Sequence, residues 1–309
     1  MNRPTIHVAA AAIFQADGRY LLASRPADKA HAGYWEFPGG KIEPGESARQ
    51  ALLRELDEEL GIQATEVTPW ITRQHDYATA RVVLTFFRVH AWQGELQARE
   101  GQSLAWQSVD AINVSPLLPA NLPIIKALAL PSVFGITQAG DDIAAFLDKL
   151  TLALARGLKF IQIREPGLAQ LEAFAQTVVN HAHAAHAKVI INSDIALAQR
   201  INADGVQMTA AQLATATRRP DIALVGASCH NAAELSRAEQ LGCDYALLSP
   251  VLPTASHPGA PALGWTEFAA LAASRSLPVY ALGGLTEDQL QNAQQHGAHG
   301  IALLRGAWQ

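Results

Sequence analysis

The sequence predicts two domains of different class: an α+β domain over residues 1–130 and an α/β domain, a (β/α)8 barrel, over residues 131–309. Three observations carry this reading. At 309 residues the chain exceeds a typical domain, and about 100–200 residues per domain suggests two. Up to about residue 129, strand-like apolar runs and long loops surround one strong helical segment. After Pro131, eight short apolar runs alternate with amphipathic helical stretches, the rhythm of a closed parallel barrel.

In the first half the strand candidates are HVAAAAIF, YLLAS, VTPWITRQHDY, RVVLTFFRVHAW and SLAWQSV. The strong helix covers 47–60, with Ser47 as its expected N-cap and Gly61 as its terminator. LLPANLPIIKALALP reads as a terminal helix stopped at Pro131. The barrel strands are expected at 133–137, 160–164, 188–192, 205–208, 224–228, 245–249, 278–282 and 300–304. Amphipathic segments such as DDIAAFLDKLTLALARG and NAAELSRAEQLG lie between most of them. An open doubly wound sheet is the other arrangement such alternation allows, but it normally needs fewer strands.

Composition excludes several classes. A hydrophobic content of 49% with 17% charged residues is that of a folded globular protein. A net charge of −5 gives no support for a nucleic-acid or membrane-surface partner. Cys229 and Cys243 are too few for a disulfide framework or a cysteine zinc cluster. The apolar start is broken by Gln15, Asp17 and Gly18, so a buried strand explains it better than a signal peptide. No run of about 18 apolar residues suggests a membrane span, and the expected location is cytoplasmic.

Within the strong helix, LRELDEELG (53–61) packs four acids into nine positions. Glu55, Glu58 and Glu59 fall at i, i+3 and i+4 and meet on one side, where each like-charged pair costs about 0.2–0.5 kcal/mol. Leu53, Leu56 and Leu60 occupy the roughly opposite face, while Asp57 points elsewhere into solvent. The helix can therefore pack by its leucines and present three carboxylates, hard oxygen donors suited to Mg²⁺ or Mn²⁺. Upstream, Gly40 is followed by five residues, Glu46, seven residues, and then Arg54-Glu55-Leu56-Asp57-Glu58-Glu59-Leu60-Gly61-Ile62. Every fixed position resembles the signature of the Nudix hydrolases, which cleave nucleoside diphosphates linked to another group.

The resemblance implies a Nudix fold and a divalent metal held by Glu55, Glu58 and Glu59 with the Gly39 carbonyl. Glu46 and Arg54 would support the helix, Glu55 is a candidate general base, and Lys41 would face the departing pyrophosphate. The likeness narrows to the MutT-like branch, which clears oxidised guanine nucleotides from the precursor pool and so serves DNA repair. It runs through LLASRPAD, REGQSLAW and LLPANLPII. By this likeness Arg25 contacts nucleotide, Glu100 approaches the metal, and Asn121 reads the oxidised base. An amide carries both donor and acceptor for a purine edge, although Asn121 between two prolines also reads as a turn or N-cap. Phe37, Tyr77, Phe86 and Trp35 are stacking candidates, but each reads first as a core residue. The implied reaction is hydrolysis of 8-oxo-dGTP to 8-oxo-dGMP and pyrophosphate.

The second half resembles the thiamine phosphate synthases and the related thiazole tautomerases, TIM-barrel proteins, over 132–309. GIT, IQIRE, IIN, ADGVQM, GASCHN, DYALLSPVLPTAS and ALGGLT fall in family order. The resemblance implies a ligand site at the strand C-termini containing Gln162, Arg164, Asn192 and Thr254, with Gly283 and Gly284 cupping a phosphate and LLRG (303–306) completing the cup. The departures matter. Pro166 replaces a pyrophosphate-binding lysine, Ser193 and Gln212 stand where aspartate metal ligands are expected, and Thr254-Ala255-Ser256-His257 replaces Thr-x-Thr-Lys. Asp194 could substitute only by a register shift, and a tautomerase histidine falls at Pro250. The barrel is therefore expected to bind a phosphorylated thiazole-like ligand without synthase activity. His181, His183 and His186 stack poorly on one helical face and read as solvated. Two alternatives stay open: hydrolysis of a thiamine-pathway pyrophosphate by the first domain, and a barrel acting as sensor or oligomerisation scaffold. The sequence leaves the oligomeric state undetermined.

Overall fold

The computed structural model describes residues 3–254 and 261–309. The chain divides into two compact units, Met1–Leu130 with Ala273–Ser276, and Pro131–Ala272 with Leu277–Gln309. Among the described residues no helix is long and apolar enough to cross a membrane.

The first unit contains β1 (Thr5–Ile13), β2 (Tyr20–Ser24), β3 (Trp35–Glu36), β4 (Gly39–Lys41), α1 (Ala48–Leu60), β5 (Gln63–Asp76), β6 (Arg81–Gln93), β7 (Leu104–Gln107) and α2 (Leu122–Leu128). One sheet has the order β4-β1-β6-β5 and a second β3-β2-β7. β1 is the hinge of the packing because it is buried on both faces. Its Ala9, Ala11 and Ile13 join the cluster containing Leu52, Leu56 and Leu60 of α1. Ala10 and Ala12 face the other way, into the cluster with Phe37, Phe86, Ile124 and Ile125. The alternation is the period-2 geometry of a strand, and the alanines let both layers approach the sheet closely.

α1 is fixed at both ends. Ser47 accepts from the Gln50 amide and Gln50 returns the bond to the Ser47 backbone, a reciprocal cap, while Gly61 closes the helix in the left-handed conformation at φ 71°. Its packed stripe is Leu52, Leu56 and Leu60 with Ala51; Leu53 is only partly buried. The expected Leu53 face is thus rotated by one residue, because β1 presents its small side chains toward Leu52.

The second unit is a closed barrel of parallel strands in the order β10-β11-β12-β13-β14-β15-β8-β9. The strands are β8 (Val133–Ile136), β9 (Phe160–Ile163), β10 (Lys188–Asn192), β11 (Gly205–Met208), β12 (Leu224–Cys229), β13 (Tyr245–Leu248), β14 (Val279–Leu282) and β15 (Gly300–Leu303). Around them run α3 (Ile143–Ala155), α4 (Leu171–Ala184), α5 (Ile195–Arg200), α6 (Ala210–Thr215), α7 (Ala232–Leu241), α8 (Gly264–Ala272) and α9 (Leu290–Gln295). The strands are nearly continuous apolar runs, as expected where both faces are covered. Near the N-terminal ends of four strands, Phe134, Phe160, Tyr245 and Tyr280 meet ring to ring at centroid separations of 4.1–6.2 Å, all fully buried. They fill one end of the barrel.

Candidate active site

In the first unit the carboxylates of α1 meet the β4 glycines. A Cβ on Gly40 would overlap the Glu55 carboxylate, so the bare backbone makes the space in which Glu55 lies. Gly39, at φ 139°, approaches β1 so closely that a Cβ would overlap the Ala9 carbonyl. Its amide donates to Glu59 Oε2 at 3.2 Å.

Arg54 organises the solvent side. Its Nε and Nη2 donate to the two carboxylate oxygens of Glu46 at 2.8 and 2.9 Å, and Nη2 also reaches the Lys41 carbonyl at 3.1 Å. Its Nη1 donates to Glu55 Oε1 at 2.9 Å and Glu58 Oε2 at 3.0 Å. The guanidinium holds the Glu46 carboxyl far below its usual range, at about 2. Lys41 itself is exposed on β4. Asp57 is exposed as expected, yet Arg99 donates to its carbonyl at 2.8 Å and meets its carboxylate at 3.5 Å, a cationic finish to the helix.

Glu59 lies on the inner side. Burial pushes its carboxyl up to about 7; the Gly39 amide opposes this, and the Glu100 and Glu55 carboxylates add to it. Lys29, in the loop between β2 and β3, stands between Glu100 and Glu59, with Nζ 2.5 Å from Glu100 Oε2 and 3.9 Å from Glu59 Oε1. Burial alone would lower the Lys29 pKa, but these carboxylates more than offset it and raise it.

The three α1 glutamates therefore do not converge as they stand. Glu58 is exposed and turned to Arg54, and among the described residues no three His, Cys, Asp or Glu side chains are grouped to hold an ion. The donor set nevertheless fits a hard divalent cation: Glu55, Glu59 and Glu100 repel one another, and an ammonium is drawn in between two of them.

Two further residues bear on a nucleotide. Arg25 grips both oxygens of Glu36 at 2.6 and 2.7 Å and bonds the Ala30 carbonyl at 2.6 Å. Asn121 is only 3% exposed, its side chain makes no capping bond to α2, and its Nδ2 has no partner. The turn-or-cap explanation for Asn121 thus does not account for its side chain. Phe37 and Phe86 are buried and pack edge to face at 5.4 Å, as core residues; Trp35 and Tyr77 are partly buried.

In the barrel, a cavity of about 1080 Å³ lies at the C-terminal ends of the strands. Gln162, Arg164, Asn192, Thr254, Gly283 and Gly284 all line it. Gln162 Nε2 donates to Asn192 Oδ1 at 2.9 Å, leaving its buried Oε1 unpartnered. Gly283 (φ 106°) and Gly284 (φ 69°) pack so tightly on Pro250 and on the Leu252–Pro253 turn that side chains there would collide. Arg305 and Gly306 of the LLRG segment line it as well, and so does His230, which sequence reasoning misses. His230 lies within GASCHN, a segment whose only signal is its place in the family order; its Nδ1 meets the Ser249 carbonyl at 2.8 Å.

The departures are built into the wall. Asp194 is used as the N-cap of α5, accepting from Leu197 N at 2.8 Å, so it does not take the place of a metal aspartate. Gln212 bonds the Ser193 carbonyl at 2.8 Å and closes a reciprocal cap with Thr209. Glu165 is the one acid among the described lining residues, and its Oε1 accepts from Ala139 N at 2.8 Å. Ala255, Ser256 and His257 lie outside the described residues. His183 pairs with Asp204 at 2.9 Å, and the HAHAAH run gathers no metal set among the described residues.

Residues 3–128 match the NUDIX domain family, and residues 133–307 match the thiamine monophosphate synthase family. The chain belongs to both families. Its Nudix part is 47% identical over 122 residues to the CTP pyrophosphohydrolase of Escherichia coli (strain K12), covering 38% of this chain and 87% of that one. It is 42% identical over 101 residues to the 8-oxo-dGTP diphosphatase of Proteus vulgaris, covering 33% of this chain and 90% of that one. The barrel part is 31% identical over 180 residues to a putative thiamine-phosphate synthase 2 of Aquifex aeolicus (strain VF5), covering 57% of this chain and 96% of that one. The first unit is thus a Nudix hydrolase domain whose relatives support nucleotide hydrolysis in general, of a family generally dependent on divalent metal, and the second unit is a synthase-type barrel.

Proposed function

We propose that the Nudix domain hydrolyses 8-oxo-dGTP to 8-oxo-dGMP and pyrophosphate with Mg²⁺ or Mn²⁺. The observation that carries this is Asn121, a buried amide whose Nδ2 lacks a partner. An unsatisfied buried donor costs about 1–3 kcal/mol, which a purine edge with a matching acceptor would recover. A guanine presenting the wrong edge would leave that cost in place, and a pocket built on such a pairing discriminates strongly.

Glu55, Glu59 and Glu100, with Glu58 after release from Arg54, would hold the ion, which supplies neutralisation of phosphate charge and a more acidic water. Glu55 then accepts a proton from water as the water oxygen bonds to phosphorus and the bridging P–O bond breaks. Arg54 keeps Glu55 oriented through Oε1. Lys41 faces the departing pyrophosphate. Arg25 contacts the nucleotide after exchanging part of its grip on Glu36.

The barrel holds a small phosphorylated, thiazole-like ligand against Gly283 and Gly284, and does not form thiamine phosphate. Pro166, Ser193 and Gln212 leave little to offset a metal-pyrophosphate. A synthase assay with both family substrates tests this; measurable thiamine phosphate would overturn it.

A second reading, CTP as substrate, is favoured by the 47% identity to the Escherichia coli CTP pyrophosphohydrolase. One panel separates the readings: kcat/KM for 8-oxo-dGTP, dGTP, CTP and thiamine pyrophosphate. A clear preference for 8-oxo-dGTP over dGTP supports the first, and equal efficiencies on that pair would sink it.

A further inference from the structure

We propose that Lys29 is a tethered counter-cation for the Glu59–Glu100 pair, which a divalent ion must displace before it can use these two carboxylates. The proposal rests on the metal-dependent reading above. Its ground is a placement that the signature does not include: the Lys29 ammonium lies 2.5 Å from Glu100 Oε2 and 3.9 Å from Glu59 Oε1, bridging side chains 41 residues apart in the chain.

The loop that delivers Lys29 is closed by its own bonds. Arg25 N donates to the Tyr34 carbonyl at 2.8 Å, Gly33 N to the Arg25 carbonyl at 3.0 Å, and Lys29 N to the Pro26 carbonyl at 3.2 Å. Arg25 further ties the loop down through the Ala30 carbonyl and Glu36. The backbone is thereby held beside the carboxylates while the four-carbon Lys29 stem, 41% exposed, stays free to swing out. A compact, flexible ammonium is well suited to stand in for an ion and then leave. Two cations compete for the same oxygens, so occupancy by Lys29 weakens the apparent affinity for metal by the fraction of molecules in which it is seated. The charge of the site is held near balance before metal arrives, and the metal requirement is set higher than the carboxylates alone would dictate.

Mn²⁺ alone, titrated into the full-length protein without nucleotide and followed by the electron paramagnetic resonance of the free ion, tests this. Lys29→Met should tighten Mn²⁺ binding about twofold to fivefold, the effect of removing one partly exposed ion pair. Lys29→Arg, which keeps a cation, should stay nearer to wild type. Glu100→Gln should weaken binding, and Lys29→Met should tighten it less in that background than in wild type, because only the 3.9 Å contact with Glu59 is then left to remove. Unchanged or weaker binding in Lys29→Met, with wild type binding normally, would overturn the role of Lys29 while leaving the metal reading intact. A wild-type protein that binds no Mn²⁺ would overturn both.

Discussion

Arg54 donates to both carboxylate oxygens of Glu46, eight residues earlier in the chain, and with its remaining Nη1 protons holds Glu55 and Glu58. One guanidinium thus connects the turn before the helix to the carboxylates on it. Arg54→Ala should lower kcat about 10- to 100-fold through loss of Glu55 orientation, with less change in KM. Arg54→Lys should rescue little, since a point ammonium cannot reproduce the fork. Steady-state kinetics with the preferred nucleotide checks both.

The same pair has a pH signature. The Glu46 carboxyl is held at about 2 against an ordinary 4.5, so its contribution to stability is fully present above about pH 4.5 and disappears as the pH falls through about 2. Wild type should melt higher than Glu46→Gln at neutral pH, and the two melting temperatures should converge as pH 2 is approached. A constant gap across that range would contradict the pairing.

Gly39 and Gly40 should fail differently when replaced by alanine. At Gly40 the obstacle is the movable Glu55 carboxylate, so Gly40→Ala should keep nearly native melting while kcat drops about a hundredfold. At Gly39 the obstacle is the Ala9 carbonyl and the backbone lies at φ 139°, so the fold itself suffers, by about 1–3 kcal/mol or more. Paired thermal melts and turnover measurements separate the two.

Asn121→Leu should cost no stability and should gain up to about 1 kcal/mol, because it removes a buried Nδ2 without a partner. The ratio of kcat/KM for 8-oxo-dGTP over dGTP should fall at least about tenfold. A variant that melts higher yet keeps its ratio would show that Asn121 does not read the base.

Cys243 should be inert to thiol reagents in the native protein. Burial, assisted by the Asp244 charge, pushes its thiol up to about 11, and the side chain is buried. At pH 8 about one molecule in a thousand then carries the thiolate, against about one in ten for an ordinary thiol of pKa 9. A colorimetric thiol assay should register Cys243 only after guanidinium is added; rapid labelling of Cys243 in buffer would contradict the burial.

Much of this architecture is legible in the chain because its signals are periodic. The eight expected barrel runs lie within a residue or so of the strands, and 188–192 and 205–208 coincide with β10 and β11. The helix over 47–60 and its capping by Ser47 and Gly61 follow from turn chemistry. β3 and β4 are two and three residues long, too short for any period to appear. The choice of Leu52 over Leu53 depends on where β1 sits, a tertiary fact. Likewise Arg25 meets Glu36 because the β2–β3 register sets Ala23 opposite Glu36, and Lys29 meets Glu100 across a loop that carries no pattern. The carboxylates are visible in the motif; the cations that occupy them are not.

The four rings at the N-terminal end of the barrel have a kinetic consequence for whatever enters it. With Phe134, Phe160, Tyr245 and Tyr280 packed as a floor, the chamber above is closed from below and is entered from the C-terminal side. Two guests could not pass through from opposite sides; both must arrive and depart by the same mouth. A ligand seated across that mouth should therefore slow the escape of one lying beneath it.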